Sequence, residues 1–233
     1  MPWPEFVVRQ FKLVNQFTTD ESEYYGPFNT LLTTVFPPHD NYQVSPKNKR
    51  ITGSIDSSVI YIVMKRKVPI LFVEIKTYQA FDRASLRKEA DEQIRDRFLD
   101  FTGNVAIPTL YGISAFGTRF SVYEYTSETR SLTPYRIPPH PLILTDTAPQ
   151  ERWNYDVMES EGEARFMEIV TEIKKMAADL NPNCCTFSFN GYDRHCVLLP
   201  LAGAMAAAGL RRGGSIGRYC ASTYSSPSFC ASP

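Results

Sequence analysis

The sequence predicts an α/β or α+β domain built on one central sheet. Three observations predict it: two pairs of apolar runs joined by short turns, amphipathic segments of helical period around and between them, and their order along the chain. That order is helix, hairpin, helix, hairpin, helix, which calls for helices packed on a shared sheet. A chain of 233 residues with 43% hydrophobic residues fits one such domain with an appendage.

Residues 4–17 and 19–36 read as helical. Thr18-Thr-Asp-Glu21 has the form of a capping box, Pro27 interrupts or restarts the second helix, and Leu31, Leu32, Val35 and Phe36 supply its buried stripe. Residues 37–50 read as a loop ending in the basic tetrad Lys47-Asn-Lys-Arg50. Strands are expected at about 55–64 and 68–76, then a helix over 82–101 with Leu86, Ala90, Ile94, Phe98 and Phe101 at helical spacing and Gly103 as its stop. A second hairpin follows in TLYGISAFGTRFSVYEY, turning at Phe116-Gly117. Residues 134–150 are a proline-rich loop. The last helix, 160–180, sets Phe166, Ile169, Val170, Ile173, Met176 and Leu180 on one face.

Composition breaks near residue 181. Residues 1–180 hold no cysteine and 45 of the 50 charged residues, whereas 181–233 hold all five cysteines and neither lysine nor glutamate. The body therefore reads as intracellular, nuclear or cytoplasmic, with no need of disulfides, and 181–233 as a poorly ordered tail. The spacing of Cys184, Cys185 and His195-x-Cys196 matches no common zinc pattern. No apolar run is long enough to span a bilayer and no leader is legible, so no membrane partner is expected. Zero formal charge excludes a whole-protein field for nucleic acid, so any phosphate-binding surface has to be a local patch. No nucleotide-binding glycine loop is present, and Ser114 lacks the second glycine of a nucleophile elbow.

The first hairpin carries the chemistry. With a three-residue turn at Lys65–Lys67, Met64 pairs with Val68, Asp56 with Lys76 and Ser58 with Glu74. Asp56, Glu74 and Lys76 then share one face at one end of the hairpin, beside apolar strands. A turn of four residues would break this parity unless a bulge restored it. Two close carboxylates at the rim of a buried sheet repel each other and pay desolvation, and a divalent cation relieves both costs. Oxygen ligands suit Mg²⁺ or Mn²⁺, and an adjacent ammonium would stabilise charge building on a phosphate.

Asp56, a hairpin and then Glu74-Ile75-Lys76 between two helices resemble the PD-(D/E)XK nuclease superfamily. The likeness covers about residues 20–126, and is greatest to fungal members with VEIK or VEVK before such a helix. It implies a restriction-endonuclease-like core, a central mixed four-stranded sheet flanked by helices. It also implies cleavage of nucleic acid, DNA more often than RNA, with Mg²⁺ or Mn²⁺ held by Asp56, Glu74 and Glu23. Lys76 is then the catalytic lysine and Gln93 a further catalytic candidate. Lys49, Arg50, Arg83, Arg87 and Arg97 are the candidates for phosphate contact. The resemblance admits a homodimer, although no seam is legible. It equally admits a non-catalytic module that keeps the nuclease fold and binds nucleic acid or protein. Ile55 stands where the family commonly has proline.

Overall fold

The computed structural model describes residues 3–50, 57–102, 105–143 and 145–180, with 48–50, 57–58 and 102 described by backbone alone. Asp56 and the whole segment 181–233 lie outside the described residues. Two units divide the chain, and everything described belongs to the first, Met1–Tyr192.

Helices α1 (Glu5–Leu13) and α2 (Tyr25–Val35) open the fold, separated by a short 3-10 turn, Glu21–Tyr24. The cap of that turn differs from the expected Thr18 box. Asp20 accepts the Ser22 N–H at 2.9 Å, Glu21 accepts from the Tyr25 hydroxyl, and the Thr18 hydroxyl is turned to Glu23. Pro27 falls in the first turn of α2, where no donor is lost. Strands β1 (Tyr42–Arg50), β2 (Ser57–Lys65) and β3 (Val68–Lys76) follow, then α3 (Ala84–Thr102), β4 (Thr109–Phe116), β5 (Arg119–Thr126), β6 (Ser131–Thr133), β7 (Tyr155–Asp156) and α4 (Ser160–Ala178).

One mixed sheet runs in the order β1-β2-β3-β4-β5-β6, with β7 also beside β5. Both expected hairpins form, β2–β3 and β4–β5. They meet through the parallel pair β3–β4, which α3 connects as a crossover helix. The expected four strands therefore lie at the centre of seven among the described residues. The loop read over 37–50 is corrected to a 3-10 turn, Pro38–Asp40, followed by strand β1. Its polar sequence and Pro46 concealed it, since such residues suit an edge strand, and among the described residues β1 pairs with β2 alone.

The register of the first hairpin also differs from expectation. The turn has two residues, Arg66 and Lys67, at φ 52° and 66°, and Lys65 pairs with Val68. Such left-handed pairs match the twist of a hairpin. A bulge between Val63 and Met64 then shifts the pairing, and Glu74 lies opposite Ile60 rather than Ser58. Even-numbered residues of β2 and β3 still share a face, because the bulge restores the parity that the shorter turn breaks.

That even face carries Ile60, Ile62, Phe72, Glu74 and Lys76, joined across the parallel seam by Gly112, Ser114 and Phe116. Helix α3 covers it. The rings of Phe72 and Phe98 sit 4.7 Å apart, and a satellite core of Phe81, Ala90, Phe116, Ala148 and Trp153 closes its carboxyl end. The odd face is covered by the other helices. Phe166 of α4 meets Phe120 edge-on at 5.8 Å, and the Tyr61 hydroxyl donates to the Tyr25 carbonyl of α2 at 3.0 Å. The apolar stripes read for α2, α3 and α4 face the sheet, with Leu86 and Met176 only half-buried.

Candidate functional site

The carboxyl ends of β3 and β4 define the candidate site. In open α/β sheets, ligands bind outside the carboxyl ends of parallel strands, and β3-α3-β4 is the parallel unit of this sheet. Glu74 lies on the penultimate turn of the β3 pleat with its side chain 1% exposed, and both carboxylate oxygens are shielded from solvent. Lys76 follows two residues on, on the same face, half-buried and opposite Phe116 in the neighbouring strand. Ser114 is the register partner of Glu74, is itself buried, and accepts from the Trp153 indole N–H at 3.3 Å.

The cation facing Glu74 comes from α3. Arg97 Nη2 stands 3.8 Å from Glu74 Oε1, and the arginine side chain is 6% exposed. A buried ionised carboxylate needs such a counter-charge. Gln93 lies one helical turn before Arg97. Its amide donates to Glu89 at 2.9 Å, while its Oε1 is buried and accepts no hydrogen bond among the described residues.

The remaining sequence candidates separate. Glu23 is exposed, and its two oxygens accept from the Thr18 hydroxyl at 2.7 Å and the Asn15 N–H at 3.3 Å, which ties down the α1–α2 connection. Arg87 is 4% exposed and donates to the carbonyls of Ala148 and Phe81 and to Asp146, so it clamps a loop rather than presenting a charge to solvent. Arg97 is likewise interior, which corrects its reading as a surface phosphate contact. Arg83 is exposed at the entry to α3. Lys49 and Arg50 pair through their backbones with Ser58 and Ser57 at the sheet edge, and their side chains lie outside the described residues. The hairpin-tip cations are engaged locally: Lys65 donates to the Tyr42 hydroxyl at 3.2 Å and Arg66 to the Leu180 carbonyl.

Sequence reasoning missed a buried charge network on the same helix. Asp91 accepts from Arg95 Nε at 2.8 Å and Nη2 at 3.0 Å, from the Tyr123 hydroxyl at 2.7 Å, and from Arg152. Arg95 and Arg152 also donate to the carbonyls of Pro134 and Tyr135. Burial alone pushes the Asp91 carboxyl up, but the hydrogen bonds from Arg95 and Tyr123 and the charges of Arg95 and Arg152 outweigh it and hold the group below its usual value. Burial, with the Asp91 charge beside it, pushes the Tyr123 phenol up. The signal was present as Arg87, Asp91 and Arg95, charged residues every fourth position along the apolar stripe of α3.

As placed, the described residues do not fit a divalent ion at Glu74. They offer one carboxylate, and a guanidinium already faces it. Among the described residues no group of three or more His, Cys, Asp or Glu comes together, and Asp56 lies outside them. No helix of the described residues is long and apolar enough to cross a membrane. No protein-family model matches the chain, and no match is found among curated proteins or solved structures.

Proposed function

We propose that the chain acts on the phosphodiester backbone of nucleic acid, DNA before RNA, as a nuclease-like protein centred on Glu74 and Lys76. The observation that carries this reading is the placement of a solvent-shielded carboxylate and a lysine on one face at the carboxyl end of β3, the first strand of the parallel β3-α3-β4 unit. A carboxylate in a strand otherwise made of Ile, Leu, Phe and Val costs stability, and catalytic or binding work is a common reason to retain one. Lys76, half-buried, keeps an ammonium within reach of a phosphate docked at that edge, where it would stabilise developing negative charge. The reading calls for Mg²⁺ or Mn²⁺, held by Glu74 together with Asp56.

A second reading is favoured by Arg97. A charge-compensated Glu74 suits a non-catalytic module that keeps the scaffold and binds nucleic acid or protein. Thermal unfolding of the full chain against MgCl₂ or MnCl₂ separates the two. The nuclease reading expects a rise in melting temperature at millimolar metal, because a ligand of the folded state stabilises it, and expects Glu74→Ala to lose that rise. It also expects cleavage of circular or single-stranded DNA that Lys76→Ala abolishes. No shift and no cleavage would leave the binding module.

A further inference from the structure

We infer that Arg119 joins Lys76 in a two-cation seat for a phosphate group at the carboxyl end of the parallel pair β3–β4. This rests on the proposed role of Lys76 at the nucleic-acid backbone, adds to it a cation from the neighbouring hairpin, and needs no metal.

The register brings the two residues together. Lys76 lies beside Phe116 across the parallel seam, and Phe116 beside Arg119 across the β4–β5 hairpin. Register partners share a face, so Lys76 and Arg119 flank Phe116 on the side that α3 covers. Two strand spacings set their backbones about 10 Å apart, a span that two long side chains can close around one phosphate. Both residues are half-buried. Among the described residues every other arginine that is buried or half-buried has a carboxylate within 3.8 Å: Arg87, Arg95, Arg97, Arg152 and Arg165. Arg119 has none there. Its register partner Asp156 is engaged elsewhere, accepting from the Thr118 hydroxyl at 2.7 Å and from the Met158 N–H at 2.9 Å. Arg119 Nε is shielded from solvent and meets no acceptor among the described residues. A shielded donor without an acceptor costs stability, and an anion would supply the acceptor. The guanidinium lies over the Phe81 ring at 5.3 Å from its centroid. Such stacking holds the fork by its face and leaves its edge for in-plane contacts, the geometry in which arginine takes a phosphate. A planar fork beside the point charge of a lysine, with no acid between them among the described residues, selects a phosphate over a cation.

The test is fluorescence anisotropy of a short fluorescein-labelled oligothymidine against the full chain in EDTA, over a salt series, for wild type, Arg119→Gln, Arg119→Lys and Lys76→Gln. Arg119→Gln should weaken binding about tenfold at low salt. It should also flatten the slope of log affinity against log salt by about 0.7, the share of one phosphate contact on a single strand. Arg119→Lys should keep the slope, a rescue that a purely structural arginine would not show. Arg119→Met, which keeps an apolar stem against Phe81, carries the same expectation as Arg119→Gln where that variant fails to fold. Unchanged affinity and slope in Arg119→Gln, with Lys76→Gln weakened, would overturn the role of Arg119 and leave the nucleic-acid reading standing. No binding by wild type would overturn the nucleic-acid reading, and thermal unfolding in inorganic phosphate against chloride of equal ionic strength then decides the seat. A rise in melting temperature that Arg119→Gln loses would support it for a small phosphate ligand, and no rise would overturn it.

Discussion

Replacing Asp91 with asparagine tests how the polar interior under α3 is held. The substitution keeps the shape and removes the charge that Arg95 and Arg152 share. It also turns an amide N–H₂ toward donors at one of two positions that now accept. Net contributions of hydrogen bonds to charged groups run at about 1.5–3 kcal/mol each, and breaking a buried ion pair from one side costs about 3–5 kcal/mol. Because the contacts share one carboxylate they do not add, so about 3–5 kcal/mol is the expected loss at pH 7. At about 2–4 °C per kcal/mol for a domain of this size, the melting temperature falls by roughly 10 °C. Urea unfolding followed by tryptophan fluorescence is a suitable assay, since Trp153 adjoins Arg152 and is fully buried. The pH dependence has a fixed sign. The fold lowers the Asp91 pKa below its ordinary 3.8, so the folded chain binds this proton less readily than the unfolded chain. Its stabilisation is complete above the unfolded value and is lost as pH falls through the folded one. The gap between wild type and Asp91→Asn should therefore hold from pH 7 to 5 and shrink below about pH 4. A loss under about 1 kcal/mol at pH 7, or a gap that widens in acid, would refute the network as a stabilising clamp.

Two glycines give further expectations. A Cβ on Gly112 would meet Phe72 Cζ at 2.7 Å and Phe98 Cζ at 2.8 Å, so Gly112→Ala should cost about 1–3 kcal/mol in urea unfolding, with Phe98→Leu recovering part of it. At Gly162 the obstacle is backbone, Asp156 O at 1.9 Å, which cannot rotate away. Gly162→Ala should thus lower the melting temperature more than Gly112→Ala, and the reverse order would show that the start of α4 yields more easily than two packed rings.

What the sequence disclosed follows from where its signals are strong. The buried strands VPILFVEIK and TLYGISAF and the stripes of α2, α3 and α4 are apolar enough to read directly. Strand β1 was hidden because an edge strand needs no second apolar neighbour and tolerates Pro46. β6 and β7 span three and two residues, too few for any period to register. The hairpin register was missed because Arg66 and Lys67 adopt positive φ without glycine or asparagine to announce it, and because the bulge at Val63/Met64 leaves no mark in composition. The burial of Glu74 was legible from the apolar run before it. Its partner was not, because an arginine among nine charged residues of a nineteen-residue helix reads as solvated until the helix is docked.

The charges of α3 gain meaning only when taken together. Arg87, Asp91, Arg95 and Arg97 are all buried, and a buried ion pair seldom stabilises more than an apolar pair of similar volume. For the first three the structure supplies a reason. Each reaches the segment between β6 and α4, through Ala148 and Asp146, Arg152, or Pro134, so their directional bonds fix one docking geometry for a long connection whose buried anchors, Ala148 and Trp153, are few. Arg97 takes no part in those contacts and points instead to the sheet, at the strand end where Glu74 and Lys76 share a face. The loop clamp cannot explain it. If the pair were merely structural, replacing both partners with apolar residues of like volume should leave stability nearly unchanged and remove nothing else. The proposed site predicts that the same double replacement abolishes metal binding and cleavage while the fold persists.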